Sequence, residues 1–413
     1  MNPPPDALQQ TFTPALDSMN SAEDLRAMIG RTVKTIDTPA LVVDLDAMAR
    51  NLATMAELAQ RHKVRLRPHA KMHKSTELAK LQIAAGAVGV CVQKASEAEV
   101  MVAGGVYNVF ISNQVISLHK LARVAALTRA VAPHAGKIAI CVDSIEGISR
   151  LATSMNDARL RSGIASAIDV FIEINVGQNR CGVAPGVPAV ALALEIRKHP
   201  ALNFAGLHAS HGKAQHLRDP AERRTAITNA VQAAASSRQL IEAAGVAVGL
   251  ITGAGTGTAA LEAASGVYGE LQAGSYLFMD ADYAANQLES TQPRFEHALF
   301  VKTQVISVQA GEAPYVVCDA GHKSHAVDSG LPKVHAFSDR STLEYVNGGD
   351  EHGILRPTEG STRLPGLGSL LWLIPGHCDP TVNLHDVMIG VRGGLLKGVV
   401  ERIIRVDARG ALT

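Results

Sequence analysis

What most constrains this chain is an alternation. From Thr38 onward, short β-type runs are separated by longer Ala- and Leu-rich stretches whose apolar positions recur three and four residues apart. The short runs are Val64–Arg67, Val88–Val92, Asn108–Ser112, Ile138–Val142, Asp169–Ile174, Phe204–His208, Val248–Thr252 and Gly269–Ala273. Stretches such as Leu118–Val131, Val187–Lys198 and Ala221–Ala243 carry the helical period between them. Eight such alternations predict an α/β fold closed into a (β/α)8 TIM-type barrel, with an open doubly wound sheet as the alternative the same pattern allows. After about Asn286 the texture changes. His297–Val308, Tyr315–Cys318, Leu343–Val346, Leu370–Ile374, Val387–Arg392 and Val399–Val406 are short, β-branched or apolar, and set apart by Gly, Pro and Asp turns. The reading is an N-terminal arm over residues 1–37, a barrel over 38–285 and an all-β domain over 286–413, which an N-terminal segment can join.

Charge narrows the partners. With 39 Lys+Arg against 38 Asp+Glu, the chain has no broad field to hold nucleic acid or anionic lipid, so neither is expected as a partner. No run of about 18 uninterrupted apolar residues is present, which excludes a spanning helix by length. The start, MNPPPDALQQ, has neither a basic n-region nor an apolar h-region, so a cytoplasmic location is expected. Five widely spaced Cys read as reduced thiols, not as disulfides or a thiolate zinc site.

In a parallel barrel the residues just after each strand line the mouth, where active sites form. The first run leads into Arg67-Pro68-His69-Ala70-Lys71-Met72-His73-Lys74. A lysine placed there serves as a Schiff-base nucleophile if burial or nearby cations depress its pKa. Lys71 and Lys74 both qualify, Lys94 and Lys213 are rivals after other strands, and a solvated basic turn is the plainer reading. The seventh run ends in Gly253-Ala254-Gly255-Thr256-Gly257-Thr258, whose alternate glycines let backbone N–H groups approach an anion while the following Ala-rich helix directs its positive end there. Its spacing is not the dinucleotide fingerprint, because Thr258 stands where that motif needs Gly. The position after a seventh strand favours a phosphate site over a mere tight turn.

Arg180, in the loop after the fifth run, can bond an anionic oxygen of a cofactor, or simply face solvent. His208 and His211 follow the sixth run as acid/base groups or metal ligands, one of the two being structural. In the β domain, Pro375-Gly376-His377-Cys378-Asp379-Pro380 sets His377 and Asp379 two apart. If this segment is extended, both project to one face while Cys378 points away, and they converge on one divalent ion, Mn, Mg or Zn. Asp350-Glu351-His352-Gly353 can add a further carboxylate, its alternative being a polar turn.

Taken in order, Thr38-Pro39-Ala40-Leu41-Val42-Val43-Asp44, RPHAKMHK, Cys91-Val92-Gln93-Lys94-Ala95-Ser96-Glu97, VGQNRCGV, TGAGTGT, Glu270–Asp280 and PGHCDPTVNLHD resemble the D-threonine aldolase family. The resemblance, from about Thr38 to Gly410, extends to the related 3-hydroxy-D-aspartate aldolases and D-serine dehydratases within the alanine-racemase-like fold of pyridoxal-phosphate enzymes. It implies pyridoxal 5'-phosphate held by Lys71, with Gly253, Gly255, Thr256, Gly257 and Thr258 on its phosphate, Arg180 beside its phenolic oxygen, and Gln93 and Tyr276 in motifs close to it. It also implies a divalent cation on His377 and Asp379 with Asp350 in a motif nearby, His211 as the catalytic base, and a homodimer acting on a small D-hydroxy amino acid.

The activity implied is cleavage of a D-3-hydroxy-α-amino acid to glycine and an aldehyde. The alternative is a dehydratase that yields a keto acid and ammonia. Dehydratase relatives carry Cys at the second metal position, whereas this chain has Asp379, which with His211 favours the aldolase. His208 and Ser210 depart from the Gln and aromatic residue more usual in relatives, so the substrate pocket differs. A non-catalytic coenzyme carrier resembles the barrel alone, and a racemase needs no metal; both are the outside readings.

Overall fold

The computed structural model describes residues 22–164, 166–290, 292–336, 342–361 and 363–413; of the arm, residues 1–21 lie outside that description. The chain lays down β1 (Ala40–Asp44) and then eight parallel strands: β2 (Arg65–Leu66), β3 (Val90–Val92), β4 (Asn108–Gln114), β5 (Lys137–Val142), β6 (Ile168–Glu173), β7 (Leu202–Ala209), β8 (Leu250–Gly253) and β9 (Glu270–Leu271). They correspond one for one to the eight runs. Each pairs with its neighbours in the order β2-β9-β8-β7-β6-β5-β4-β3. The ring closes between its ends, where His69 bridges Cys91 in parallel register and Cys91 N–H donates to the Pro68 carbonyl at 2.8 Å. Closure settles the choice between barrel and open sheet.

Alternation along the strands sorts the side chains. Residues facing out pack with the helices into one large apolar cluster, while Cys91, Phe110, Ala139, Cys141 and Phe171 fill the barrel interior. Above that plug the inward positions turn polar, with Gln93, Ser112, Glu173, His208, Thr252 and Gln272 forming a floor at the C-terminal mouth. Towards the other end, Arg67 pairs with the buried Glu270 at 3.1 Å and donates to Asn108 Oδ1 at 2.8 Å, so the interior charge is matched.

The rest of the chain builds a second sheet from β10 (Leu299–Gln309), β11 (Tyr315–Cys318), β12 (Lys333–Val334), β13 (Leu343–Asn347), β14 (Gly353–Pro357), β15 (Leu370–Ile374), β16 (Val387–Arg392) and β17 (Val399–Arg405). Its main order is β13-β14-β11-β10-β1-β16-β17, with β15 pairing β10 and β12. The fifth strand in that order, β1, enters from the other end of the sequence, antiparallel to β10 and parallel to β16. Periodicity alone does not reveal β12, which has two residues, or β14, which mixes Gly, Arg and Pro with two apolar positions.

Because β1 lies in the second sheet and leads straight into a barrel helix, the two parts share structure. Asp44 ends the strand and caps helix Leu45–His62, accepting from Asp46 N–H at 3.0 Å and Ala47 N–H at 3.1 Å. Two turns on, the buried Asn51 donates to the carbonyls of Leu277 (3.2 Å) and Glu296 (2.8 Å) and accepts from Glu296 N–H at 2.8 Å. One apolar cluster runs from Leu41 and Met48 through Leu271, Tyr276 and Phe278 to Leu299, Cys378 and Val382. The segment bearing His377 and Asp379 is therefore fixed over the barrel. No helix among the described residues is long and apolar enough to cross a membrane.

Asn51→Ala removes all three bonds and leaves buried backbone groups unpaired. The unfolding free energy should fall by about 2–4 kcal/mol in urea titrations; a loss under about 0.5 kcal/mol would show that this junction does not hold the two parts together.

Candidate active site

Lys71 lies in a single 3-10 turn, Ala70–Met72, just past β2. Its Nζ donates to Asp379 Oδ2, so a barrel-mouth lysine and a carboxylate of the second sheet's connecting segment meet within one chain. The rival lysines are placed otherwise. Lys74 is buried, pairs with Glu97 at 2.8 Å and donates to the Ala408 carbonyl at 3.2 Å, which ties down the C-terminal segment. Lys94 precedes helix Ala95–Ala103 and spends its backbone N–H on Glu97, and Lys213 is exposed.

His377 and Asp379 converge, but not through an extended segment. His377 has extended backbone, whereas Cys378–Val382 is a short helix with Asp379 in its first turn. The helical turn itself brings His377 Nε2 to 3.9 Å from Asp379 Oδ1. Cys378 turns inward, its thiol donating to the Met279 carbonyl and its N–H to Asp280 Oδ2 at 3.0 Å. Ala281 and Asp282 donate their N–H groups to the carbonyls of Pro375 and Gly376, completing a clamp from the barrel. Burial opposes ionisation of Asp379, yet the charges of Lys71 and His377 outweigh it and hold the carboxyl below its usual range. Burial likewise pushes the clamping carboxyl of Asp280 up to about 6.

The carboxylate bonded to His377 is Asp328, with Oδ2 at 2.7 Å from Nδ1. Asp350 is exposed in the β13–β14 turn, where its carbonyl accepts from Lys323 N–H. A separate group of ligand-type atoms occurs in the barrel floor, where those of Cys141, Glu173 and His208 lie within 4.8 Å of one another. There Gln114 donates to Glu173 at 2.5 Å, Gln272 Oε1 lies 3.1 Å from His208 Nε2, and burial holds the Cys141 thiol protonated.

At the opposite rim, His211 follows β7 and is half-buried. Gly177, in the loop after β6, abuts its ring: a Cβ there would come within 2.3 Å of His211 Nε2, and φ of +125° demands glycine in any case. Burial, then the nearby Lys213 charge, lowers the His211 pKa, which favours the neutral imidazole. His208 is also held neutral by burial against the opposing pull of Glu173, and Arg180, exposed on the same loop as Gly177, adds to that effect. Gln93 Nε2 lies 2.8 Å from His69 Nε2 and 3.2 Å from Ser112 Oγ, next to the Lys71 turn.

The glycine loop after β8 is built to stay open. A Cβ on Gly253 would strike the Ala209 carbonyl at 2.3 Å, and one on Gly255 would strike the Gln215 side chain at 2.5 Å. Gln215 accepts from Gly257 N–H at 2.9 Å and donates to Thr258 Oγ1 at 2.7 Å, while Thr256 Oγ1 accepts from the N–H of the buried Tyr276 at 2.9 Å. The following helix has only six residues, Ala259–Ala264, so an anion at this loop would be held by the loop's own N–H groups and not by a helix end. Those of Gly255 and Thr256 have no acceptor among the described residues.

The comparisons with known proteins agree with this geometry. The alanine racemase N-terminal domain family matches residues 43–282, and the family described as "Putative serine dehydratase domain" matches residues 298–391. A D-threonine aldolase of Arthrobacter sp. is 44% identical over 384 residues, 93% of this chain and 96% of that protein. The chain belongs to the D-threonine aldolase family. A 3-hydroxy-D-aspartate aldolase of Paracoccus denitrificans is 38% identical, covering 94% of this chain and 96% of its own. The crystal structure of D-threonine aldolase from Filomicrobium marinum superposes with a TM-score of 0.86 at 45% identity, over 93% of this chain and 99% of that one.

Pyridoxal phosphate fits an alanine-racemase-like barrel, and the residues here suit it: an amine at the mouth in Lys71 and a loop with two open N–H groups. A divalent ion also fits, because Asp379 Oδ1 is buried without a hydrogen-bond partner and faces His377 Nε2. That separation of 3.9 Å suits two atoms that would ligate one ion. Reading the sequence missed Asp328, Gln215 and Asp280. Only Asp280 carried a signal, through its place in the matching motif.

Behind the loop, Glu262 is buried and accepts from Thr258 Oγ1 at 2.8 Å; burial pushes its pKa from 4.5 up to about 7. A folded pKa raised above the unfolded one means that stability is lost as pH rises from about 4.5 to about 7. Glu262→Gln should therefore gain thermal stability over the native chain as pH rises, the gap widening to pH 7 and closing near pH 4.5; a gap that ignores pH would contradict this burial effect.

Proposed function

We propose that this chain is a pyridoxal-phosphate- and divalent-metal-dependent aldolase that cleaves D-3-hydroxy-α-amino acids of the D-threonine or D-3-hydroxyaspartate type to glycine and an aldehyde. The observation that carries the reading is the contact between Lys71 and Asp379, which brings the coenzyme lysine and the ion ligand to one spot in one chain. Relatives at 44% and 38% identity are an aldolase for D-threonine and one for 3-hydroxy-D-aspartate, whereas the D-threo-3-hydroxyaspartate dehydratase of Delftia sp. stands further off at 30%. The carbon–carbon lyase class follows from the nearer relatives.

Pyridoxal phosphate, when bound, supplies the electron sink for the pair left at Cα as Cα–Cβ breaks. Lys71 is the residue whose ε-amine would hold the coenzyme. Gly255 and Thr256 would offer N–H groups to the coenzyme phosphate, Gly253, Gly257 and Thr258 shape the loop, and Arg180, Gln93 and Tyr276 are the further residues that would contact the coenzyme. His377 and Asp379 would hold the divalent ion, for which manganese is our reading, and the ion would lower the pKa of the substrate's β-hydroxyl. His211, neutral near pH 7, takes the proton from that hydroxyl as the aldehyde carbonyl forms. A cytoplasmic homodimer is the assembly we infer, and sedimentation at working concentration checks it.

Three outcomes test the reading. Lys71→Ala should lose the visible absorbance of bound coenzyme; retention of that band would remove Lys71 from its role. Incubation with D-threonine, D-3-hydroxyaspartate or D-serine should release glycine from the first two after metal is supplied, and chelation should stop it with the coenzyme band intact, whereas keto acid in place of glycine would make the chain a dehydratase. Because the neutral imidazole is the base, kcat/KM should fall with acid along a limb below pH 6.5, and His211→Asn should abolish that limb; a limb unchanged in the variant would assign the base elsewhere.

A further inference from the structure

We infer that Asp328 is the positioning residue of the metal pair, fixing the tautomer and direction of the His377 ring. The inference rests on the reading of His377 and Asp379 as ion ligands, and it concerns a residue on a different loop from either.

The geometry is specific. Asp328 Oδ2 accepts from His377 Nδ1–H at 2.7 Å, with Ser329 Oγ a more distant neighbour at 3.4 Å. A carboxylate at Nδ1 keeps the proton there, so Nε2 presents its lone pair, and Nε2 is the atom facing the unpartnered Asp379 Oδ1. Without that acceptor the imidazole could carry its proton on Nε2 or rotate about its χ2 bond, and either change removes the donor atom from the ion.

The loop carrying Asp328 is tied to the ligand segment on both sides. Upstream, Ala326 N–H donates to Thr381 Oγ1 at 3.0 Å, and Thr381 in turn donates to the His377 carbonyl at 2.6 Å. Downstream, Gly376 packs so tightly on the Gly330 carbonyl that a Cβ at Gly376 would lie 2.1 Å from its oxygen. Asp328 thus sits in a three-residue span pinned at Ala326 against Thr381 and at Gly330 against Gly376, one on each side of His377 in the chain. The Asp328 side chain is 51% exposed, so water screens the pair and its value lies in direction, not in net attraction.

The test uses coenzyme-loaded protein stripped of metal by chelation and titrated with Mn2+ alone, free ion being read from its electron paramagnetic resonance signal. Asp328→Asn should weaken Mn2+ binding by about 10- to 100-fold, since an amide can turn its NH2 towards the ring and no longer selects the tautomer. Asp328→Glu, which keeps the carboxylate, should recover most of the loss. The melting temperature of metal-free protein should be the same in all three, which separates positioning from folding. Asp328→Asn binding Mn2+ within about twofold of the native chain, while His377→Ala and Asp379→Ala lose it, would overturn the proposal and leave the metal reading standing. Undiminished Mn2+ binding by His377→Ala and Asp379→Ala would overturn the reading beneath it, and a Cys141→Ser variant that then loses the ion would locate it in the barrel floor.

Discussion

The site depends on the contact between Lys71 and Asp379, because it is where two separately built halves must agree. A cation at a barrel mouth and a carboxylate on a helical turn of another sheet hold this relation only if both backbones are fixed. The barrel end is fixed by the parallel ladder that runs from β2 round to the His69–Cys91 bridge. The other end is fixed by residues 280–282, which bond to Pro375, Gly376 and Cys378. The ion pair is thus a consequence of backbone hydrogen bonding, since a single partly exposed pair contributes too little to align two domains.

Electrostatics around that contact follow from burial. His69 and His73 flank Lys71, and burial drives both below the ordinary imidazole range, His73 to about 4, with the Lys71 charge acting on His69 in the same direction. His208 and His211 are lowered as well. A mouth rich in histidine therefore carries little positive charge beyond its lysine, and its imidazoles are available as acceptors. The polar floor beneath serves a different end. There Gln93, Ser112, Gln114, Thr252 and Gln272 answer one another or a buried charge, so a wide mouth is lined by groups whose orientation is already set.

Much of this was legible in the chain. The eight runs match the eight barrel strands because each is a short β-rich segment between helical stretches, and local periodicity reports that well. That an N-terminal segment can join the second domain was read as well, but its partners β10 and β16 were not, since pairing across some 260 to 350 residues leaves no local trace. The convergence of His377 and Asp379 was anticipated through an extended backbone over both residues, and the structure reaches it with His377 extended at the helix N-cap and Asp379 in the first helical turn. Cys378-Asp379-Pro380 could not signal that turn by period, for the helix spans five residues. Asp328 was hidden for a different reason: a lone Asp followed by Ser-Gly reads as a turn, and only the tie between Ala326 and Thr381 shows what the turn faces.

The return of the chain's end completes the enclosure. Beyond β17, the Ala408 carbonyl accepts from Lys74, three residues after Lys71, and Ser96 N–H donates to the carbonyl of Thr413. Lys74 is also paired with the buried Glu97, so its charge is spent on anchoring and does not compete with Lys71 for the same chemistry. The RPHAKMHK segment holds two lysines of opposite fate: Lys74 is matched by Glu97 from helix Ala95–Ala103 and lies under the C-terminal segment, while Lys71 reaches Asp379 from the second sheet's segment. Sequence spacing makes them equivalent. The C-terminal strand order makes them different: β16 pairs β1, β17 pairs β16, and the tail beyond β17 lies on Lys74.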